Sequence, residues 1–233
     1  MASRILRRSG TAVVEYLRYL EWVPKVVFAV GVGGKHQEID VMREEWSDFY
    51  LYGFEPHPDI YASVNETFPG RLHRYAISDY TGRGVLHAKS SWKDGSSLIP
   101  KTQNPEDYKE IPVEVTTLDD MLCIMPSDAP GLLWLDCEGS ELAALKGGEK
   151  FLVEKNIEVI NIEQTARPRG DDWPTPYVVH CWLTEHGFYQ AWTHTHRTVI
   201  GQFDSVYLRG DIFDPRHCSC LESIRTWMNQ NLE

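Results

Sequence analysis

Acidic residues stand where the apolar runs of this chain end, the points at which a folded sheet presents side chains to a ligand. Glu55 follows Phe49-Tyr50-Leu51-Tyr52-Gly53-Phe54, Asp136 and Glu138 follow Leu132-Leu133-Trp134-Leu135, and Glu163 closes the run from Ile157 to Ile162. Another run, Val26-Val27-Phe28-Ala29-Val30, ends instead in Gly31-Val32-Gly33-Gly34, and glycines there let a ligand approach the backbone. Glu55 lies about 20 residues beyond that turn, where an acid can accept both ribose hydroxyls of a nucleoside, and Pro56 fixes the turn after it. A dinucleotide grip needs a further glycine three places after Gly33, and His36 stands there. A nucleoside site without a pyrophosphate grip points away from NAD and toward S-adenosylmethionine. That ligand carries a net positive charge, which suits an acid-rich rim of Glu55, Asp136, Glu138 and Glu163.

The elements that must position these residues alternate. A buried strand at Val26–Val30 leads into a helix through Trp46, a strand to Phe54, a helix from Pro58 to Phe68 and a strand from Leu72 to Ile77. Residues 82–112 read as an insertion of turns and short strands near the active face, with a polar loop at 90–97. Order returns with the strand 132–135 and a helix over 140–146 stopped by Gly147-Gly148. A strand at 157–162, a polar loop at 165–176, a helix at 177–186, strands near 188–194 and 204–209 and a terminal helix complete the pattern. Strands alternating with helices imply an α/β fold with a mainly parallel sheet and helices on both faces; the close spacing of the last two strands adds an antiparallel edge strand.

The residues quoted above resemble a known family when taken in order. Phe28-Ala29-Val30-Gly31, Gly53-Phe54-Glu55-Pro56-His57-Pro58, Ala76-Ile77-Ser78-Asp79, Thr117-Leu118-Asp119-Asp120 and Leu135-Asp136-Cys137-Glu138-Gly139-Ser140-Glu141 are similar to the FkbM family of methyltransferases, as are Leu145-Lys146-Gly147-Gly148 and Glu163. The resemblance implies a class I methyltransferase (Rossmann-like) fold with a seven-stranded sheet, S-adenosylmethionine as cofactor, and O-methylation of a hydroxyl on a sugar or small metabolite. It also implies that Gly31, Val32 and Gly33 face the methionine end, and that Glu55 and Pro56 meet the ribose. Ala76 and Ile77 then flank the adenine, with Ser78 or Asp79 near its amino group, and Asp136 lies next to the transferred methyl group.

A hydroxyl is a poor nucleophile until a base takes its proton, and Asp136 is the first candidate base, Glu163 the second. Glu138 and Glu141 suit a helix start after Ser140. His57, His180, His194 and His196 are further candidates; His194 and His196, two apart on a strand, share a face and with Asp136 or Glu163 could hold a divalent metal. We read them instead as polar residues at a strand end, with no metal expected. Trp92 and Trp173 either stack on an acceptor sugar or pack their loops down. Ala29 stands where the family usually has an aspartate that helps hold the methionine part, so a non-catalytic binding module on the same fold is the alternative reading. An NAD-type oxidoreductase is opposed by the missing glycine and by the lack of any Tyr-x-x-x-Lys pair.

Whole-chain properties agree with a compact enzyme domain. The 233 residues are 42% hydrophobic and 24% charged, enough to bury a sizeable core and too ordered in pattern for a disordered chain. A formal net charge of −11 disfavours nucleic acid as a partner and leaves a small-molecule or glycan acceptor. Five dispersed cysteines are not a disulfide framework, and a reducing, cytoplasmic setting is the simpler expectation. His217, Cys218 and Cys220 lack a second ligand pair for zinc. No run of apolar residues is long enough to span a membrane. Residues 1–24 read as an N-terminal helical extension, 25–211 as the methyltransferase domain and 212–233 as a C-terminal helix packed on it.

Overall fold

The computed structural model describes residues 9–34, 37–89, 95–102, 104–124, 129–167, 169–196 and 201–214. The strands are β1 (Val26–Val30), β2 (Tyr50–Phe54), β3 (Arg71–His73), β4 (Ala76–Ile77), β5 (Gly82–Lys89), β6 (Tyr108–Thr116), β7 (Gly131–Leu135), β8 (Ile157–Thr165), β9 (Phe188–Thr195) and β10 (Gln202–Arg209). The helices are α1 (Ser9–Tyr19), α2 (Gln37–Glu45), α3 (Pro58–Val64), α4 (Glu141–Lys146), α5 (Glu149–Glu154) and α6 (Pro176–Glu185). Residues 215–233, which hold most of the expected C-terminal helix with Cys218 and Cys220, lie outside the described residues, as do Trp92 and His36.

Seven strands form one sheet in the order β3-β2-β1-β7-β8-β10-β9. The first five are parallel, and β10 is antiparallel to both β8 and β9. The expected seven-stranded, mainly parallel sheet is therefore present, with one difference of detail. The antiparallel strand is not outermost: β10 is inserted between β8 and β9, and the edge strand β9 runs with the parallel set. A short hairpin connection forces antiparallel pairing but says nothing about which of its strands lies inside.

Strand β1 shows why both faces are covered. All five of its residues are buried, as a strand flanked by helices on both sides requires. Val26, Phe28 and Val30 point into a core closed by α4, α5 and α6, where Phe28 meets Phe151 edge-on at 4.7 Å between ring centroids. Val27 and Ala29 point the other way, into a core closed by α1, α2 and α3. Helix α1 buries Val13, Val14, Tyr16 and Leu17 in that second core, and Tyr16 stacks on Trp192 of β9 at 5.2 Å.

The expected strand from Leu72 to Ile77 is two strands. β3 ends at His73, and β4 leaves the main sheet to pair with β6, which together with β5 makes a small three-stranded sheet in order β4-β6-β5. The segment read as short strands thus holds a long antiparallel pair, Gly82–Lys89 with Tyr108–Thr116. The helix stopped by Gly147-Gly148 restarts at once as α5. Gly147 is there for space: a Cβ on it would sit 2.0 Å from the carbonyl oxygen of Ser78.

Candidate active site

The ends of β1, β2 and β7 are tied together before any ligand is considered. Gly31 N–H donates to the carbonyl of Phe54 (3.0 Å), and Asp136 N–H donates to that of Val30 (2.9 Å). Gly31 has φ +83°, and a Cβ there would lie 1.8 Å from the Asp136 carbonyl oxygen, so only glycine fits the crossing. Glu55, 5% exposed, accepts the Gly33 N–H at one oxygen (3.0 Å) and the His57 N–H at the other (2.8 Å). The carboxylate holds the glycine turn against the start of α3, where His57 Nδ1 in turn accepts the Asp59 N–H (3.2 Å).

A cavity of about 260 Å³ opens over these strand ends. It is lined by Gly31, Val32, Gly33, Glu55, Pro56, Ala76, Ile77 and Asp136, eight of the nine residues singled out for the cofactor. The ninth, Asp79, is exposed and outside the lining; its Oδ1 accepts the Ser78 hydroxyl (3.3 Å). Ala29 forms part of the wall. The reading from sequence missed Glu38 at the start of α2 and Tyr75, which line the cavity, while Ser96 and Leu98 line it from the insertion that the sequence places near the active face. A helix that begins right after the glycine turn aims its first turn at the same space, which was the available signal for Glu38.

Three carboxylates, Glu38, Glu55 and Asp136, line this cavity, and no Lys, Arg or His is among its described lining residues. Burial pushes the Asp136 carboxyl well up, and the neighbouring charges of Glu163, Glu138, Glu38 and Asp204 push it further. Glu163 stands beside Asp136, one register step beyond the Leu135–Ile162 pair of β7 and β8, but does not line the cavity. Its Oε1 accepts the Gln202 amide (2.8 Å), and its pKa is pushed up to about 8 by burial and then by Asp204. Burial alone would lower His196, but a hydrogen bond to Asp204 at 2.8 Å, with the charges of Asp204 and Glu163, holds it above the usual histidine value.

The remaining candidates are engaged elsewhere. Glu138, with φ +51°, takes Lys101 Nζ at 3.2 Å and Arg169 at 2.7 Å on one oxygen, and its carbonyl accepts the Ser97 hydroxyl (2.6 Å). Glu141 accepts the N–H groups of Cys137 and Gly139 and so shapes the loop after Asp136. Trp173 is buried under that loop, where a Cβ on Gly139 would meet its ring at 2.7 Å; of the two readings, it packs the loop down. His57 caps α3 and His180 lies 3.3 Å from the Tyr207 hydroxyl, so neither is at the cavity.

Among known proteins, residues 34–189 match the family model described as the methyltransferase FkbM domain. The chain is 28% identical over 120 residues to the 2-O-methyltransferase NoeI of Sinorhizobium fredii (strain NBRC 101917 / NGR234), a match covering 45% of this chain and 49% of that protein. In fold it is similar to the crystal structure of methyltransferase FkbM from Methylobacillus flagellatus KT, with a TM-score of 0.52 and 16% identity over 88% of this chain and 45% of that one. The chain thus spans about half the length of each of these relatives. No helix among the described residues is long and apolar enough to cross a membrane.

Proposed function

The chain belongs to the FkbM family of methyltransferases, and from that premise we propose that it moves the methyl group of S-adenosylmethionine to a hydroxyl of a sugar or small metabolite. One observation carries the cofactor part: a cavity at the strand ends with three buried or half-buried carboxylates and no basic side chain among its described lining. Such a site favours a ligand with a sulfonium and an ammonium and disfavours a pyrophosphate. When bound, S-adenosylmethionine supplies the electrophilic methyl carbon.

In this reading the chain's residues do the rest. Gly31 and Gly33 expose backbone to the methionine end. Glu55, which lines the cavity and ties the glycine turn to the start of α3, accepts the two ribose hydroxyls. Ala76 and Ile77 make the apolar wall for the adenine. Asp136 takes the acceptor's proton, a role to which its raised proton affinity is suited. Ala29 supports a second reading, a binding module without turnover, because the cavity wall there offers a methyl group where an acid would grip the ammonium.

Thermal unfolding tests the cofactor directly. A ligand at 100 times its dissociation constant stabilises by about 2.7 kcal/mol, a midpoint rise of roughly 5–10 °C for a domain of this size. A rise of that order is expected with S-adenosylmethionine or its demethylated product and none with NAD. No rise with either methyl-cycle ligand would refute the cofactor assignment. A rise without methylation of any hydroxylated acceptor tried would move the binding module to the front.

A further inference from the structure

The row of acids at the strand ends continues past the cavity. Asp136, Glu163 and Asp204 occupy neighbouring positions on β7, β8 and β10: Glu163 pairs in register with Asp204, and Asp136 follows the Leu135–Ile162 pair. Side chains opposite one another on adjacent strands share a face about 5 Å apart, where like charges repel. Among the described residues, the ion pairs of Glu163 and Asp204 are both to His196, at 3.7 Å and 2.8 Å. These three side chains are 17%, 3% and 12% exposed, and one donor atom from each lies within 4.8 Å of the others.

We propose that Glu163, His196 and Asp204 form a divalent cation site that holds the acceptor's oxygen beside Asp136. Two carboxylate oxygens and one imidazole nitrogen form a mixed set suited to ions such as Mn²⁺, Co²⁺ or Zn²⁺. With donors about 2.1 Å from the ion, neighbouring donors of an octahedral site lie about 3 Å apart and opposed ones about 4 Å. His196 Nε2 lies 2.8 Å from Asp204, and one donor atom from each of the three residues lies within 4.8 Å of the others, so an ion has to draw the widest pair inward by less than about 1 Å. A doubly charged cation cancels the repulsion between two adjacent carboxylates, and three protein ligands leave positions open for oxygen ligands. Gln202 donates to Glu163 Oε1 and orients the other oxygen toward His196, as an outer partner of a metal ligand does. Asn161 adds an independent sign. It lies two residues before Glu163, is fully buried, and neither polar atom of its side chain has a hydrogen-bond partner among the described residues. Buried amides of that kind call for water or another polar guest.

The inference rests on the methyl-transfer reading for its role and on geometry for its existence. A hydroxyl bound to a divalent cation gives up its proton more readily. Asp136 is next in the row to take that proton; the oxygen then forms its bond to the methyl carbon as the carbon–sulfur bond breaks and the sulfur keeps the electron pair. Glu163 becomes a ligand, which leaves Asp136 as the base.

The test is an electron paramagnetic resonance titration of Mn²⁺ into the full chain after chelator treatment, with calorimetric binding of S-adenosylhomocysteine measured on the same samples. One Mn²⁺ per chain is expected, with affinity reduced at least tenfold in Glu163→Gln and in His196→Ala while S-adenosylhomocysteine still binds. Glu163→Gln preserves shape and carries the test if His196→Ala does not fold. Absence of Mn²⁺ binding by the unaltered chain, or affinity unchanged in Glu163→Gln, overturns the proposal. Mn²⁺ bound with these sensitivities but no binding of S-adenosylhomocysteine leaves the cation site standing and removes the cofactor reading instead.

Discussion

Each oxygen of Glu55 holds a backbone N–H, one in the glycine turn and one at the start of α3, so this acid organises the cavity as well as lining it. Asp136 is different: its backbone ties β7 to β1, while its carboxyl sits among other acids with its proton affinity raised. Asp136→Asn keeps the shape and removes the proton acceptor. Turnover should fall at least tenfold, set against the 10²–10⁴ that a general base contributes. Near-native turnover would remove Asp136 from the base role. Glu55, Gly31 and Asp136 were legible because each ends an apolar run, a one-dimensional signal. Asp204 was not, because its importance comes from lying opposite Glu163 and beside His196, and that requires knowing that β10 sits between β8 and β9. Glu138 looked like a rim acid and is a tie between loops, since Lys101 and Arg169 approach it from segments far apart in sequence.

At the scale of elements, the loop between β7 and α4 shows how one buried acid sets local stability. Glu141 accepts the N–H groups of Cys137 and Gly139, yet burial raises its pKa from 4.5 to about 7. Below pH 4.5 folded and unfolded chains both carry this proton; between 4.5 and 7 only the folded chain keeps it, so stability falls as pH rises through that window and levels off above it. A shift of this size is roughly 3 kcal/mol. Calorimetric scans of Glu141→Gln should show a smaller loss of midpoint between pH 5 and pH 8 than the parent chain; an equal loss would assign the pH dependence to other groups. The elements themselves were mostly readable, since long apolar runs and glycine stops are strong signals. What was not readable has steric or topological causes. The β3–β4 break follows from the pull of β6 on Ala76 and Ile77. The helix does end at Gly147 as expected, and that glycine has a second cause that sequence cannot show, its close approach to the Ser78 carbonyl.

For the whole molecule, the two hydrophobic cores lie on opposite faces of one sheet and both draw on β1, β7 and β8. Neither can lose its packing while the other keeps its floor. Trp46, Trp134 and Trp192 belong to one core and Trp182 to the other, so tryptophan emission reports on both. The described domain should melt in a single transition, with fluorescence and far-ultraviolet circular dichroism coinciding; two separated transitions would show that the faces are independent. The placement of β10 also bears on how the chain assembles during synthesis. β9 is made before β10 yet joins the sheet only through it, and α1, made before either, packs its Tyr16 on Trp192 of β9. On the ribosome, β9 must therefore wait for β10 before it can join the sheet, and a nascent chain halted before Gln202 exposes an unfinished edge at β8.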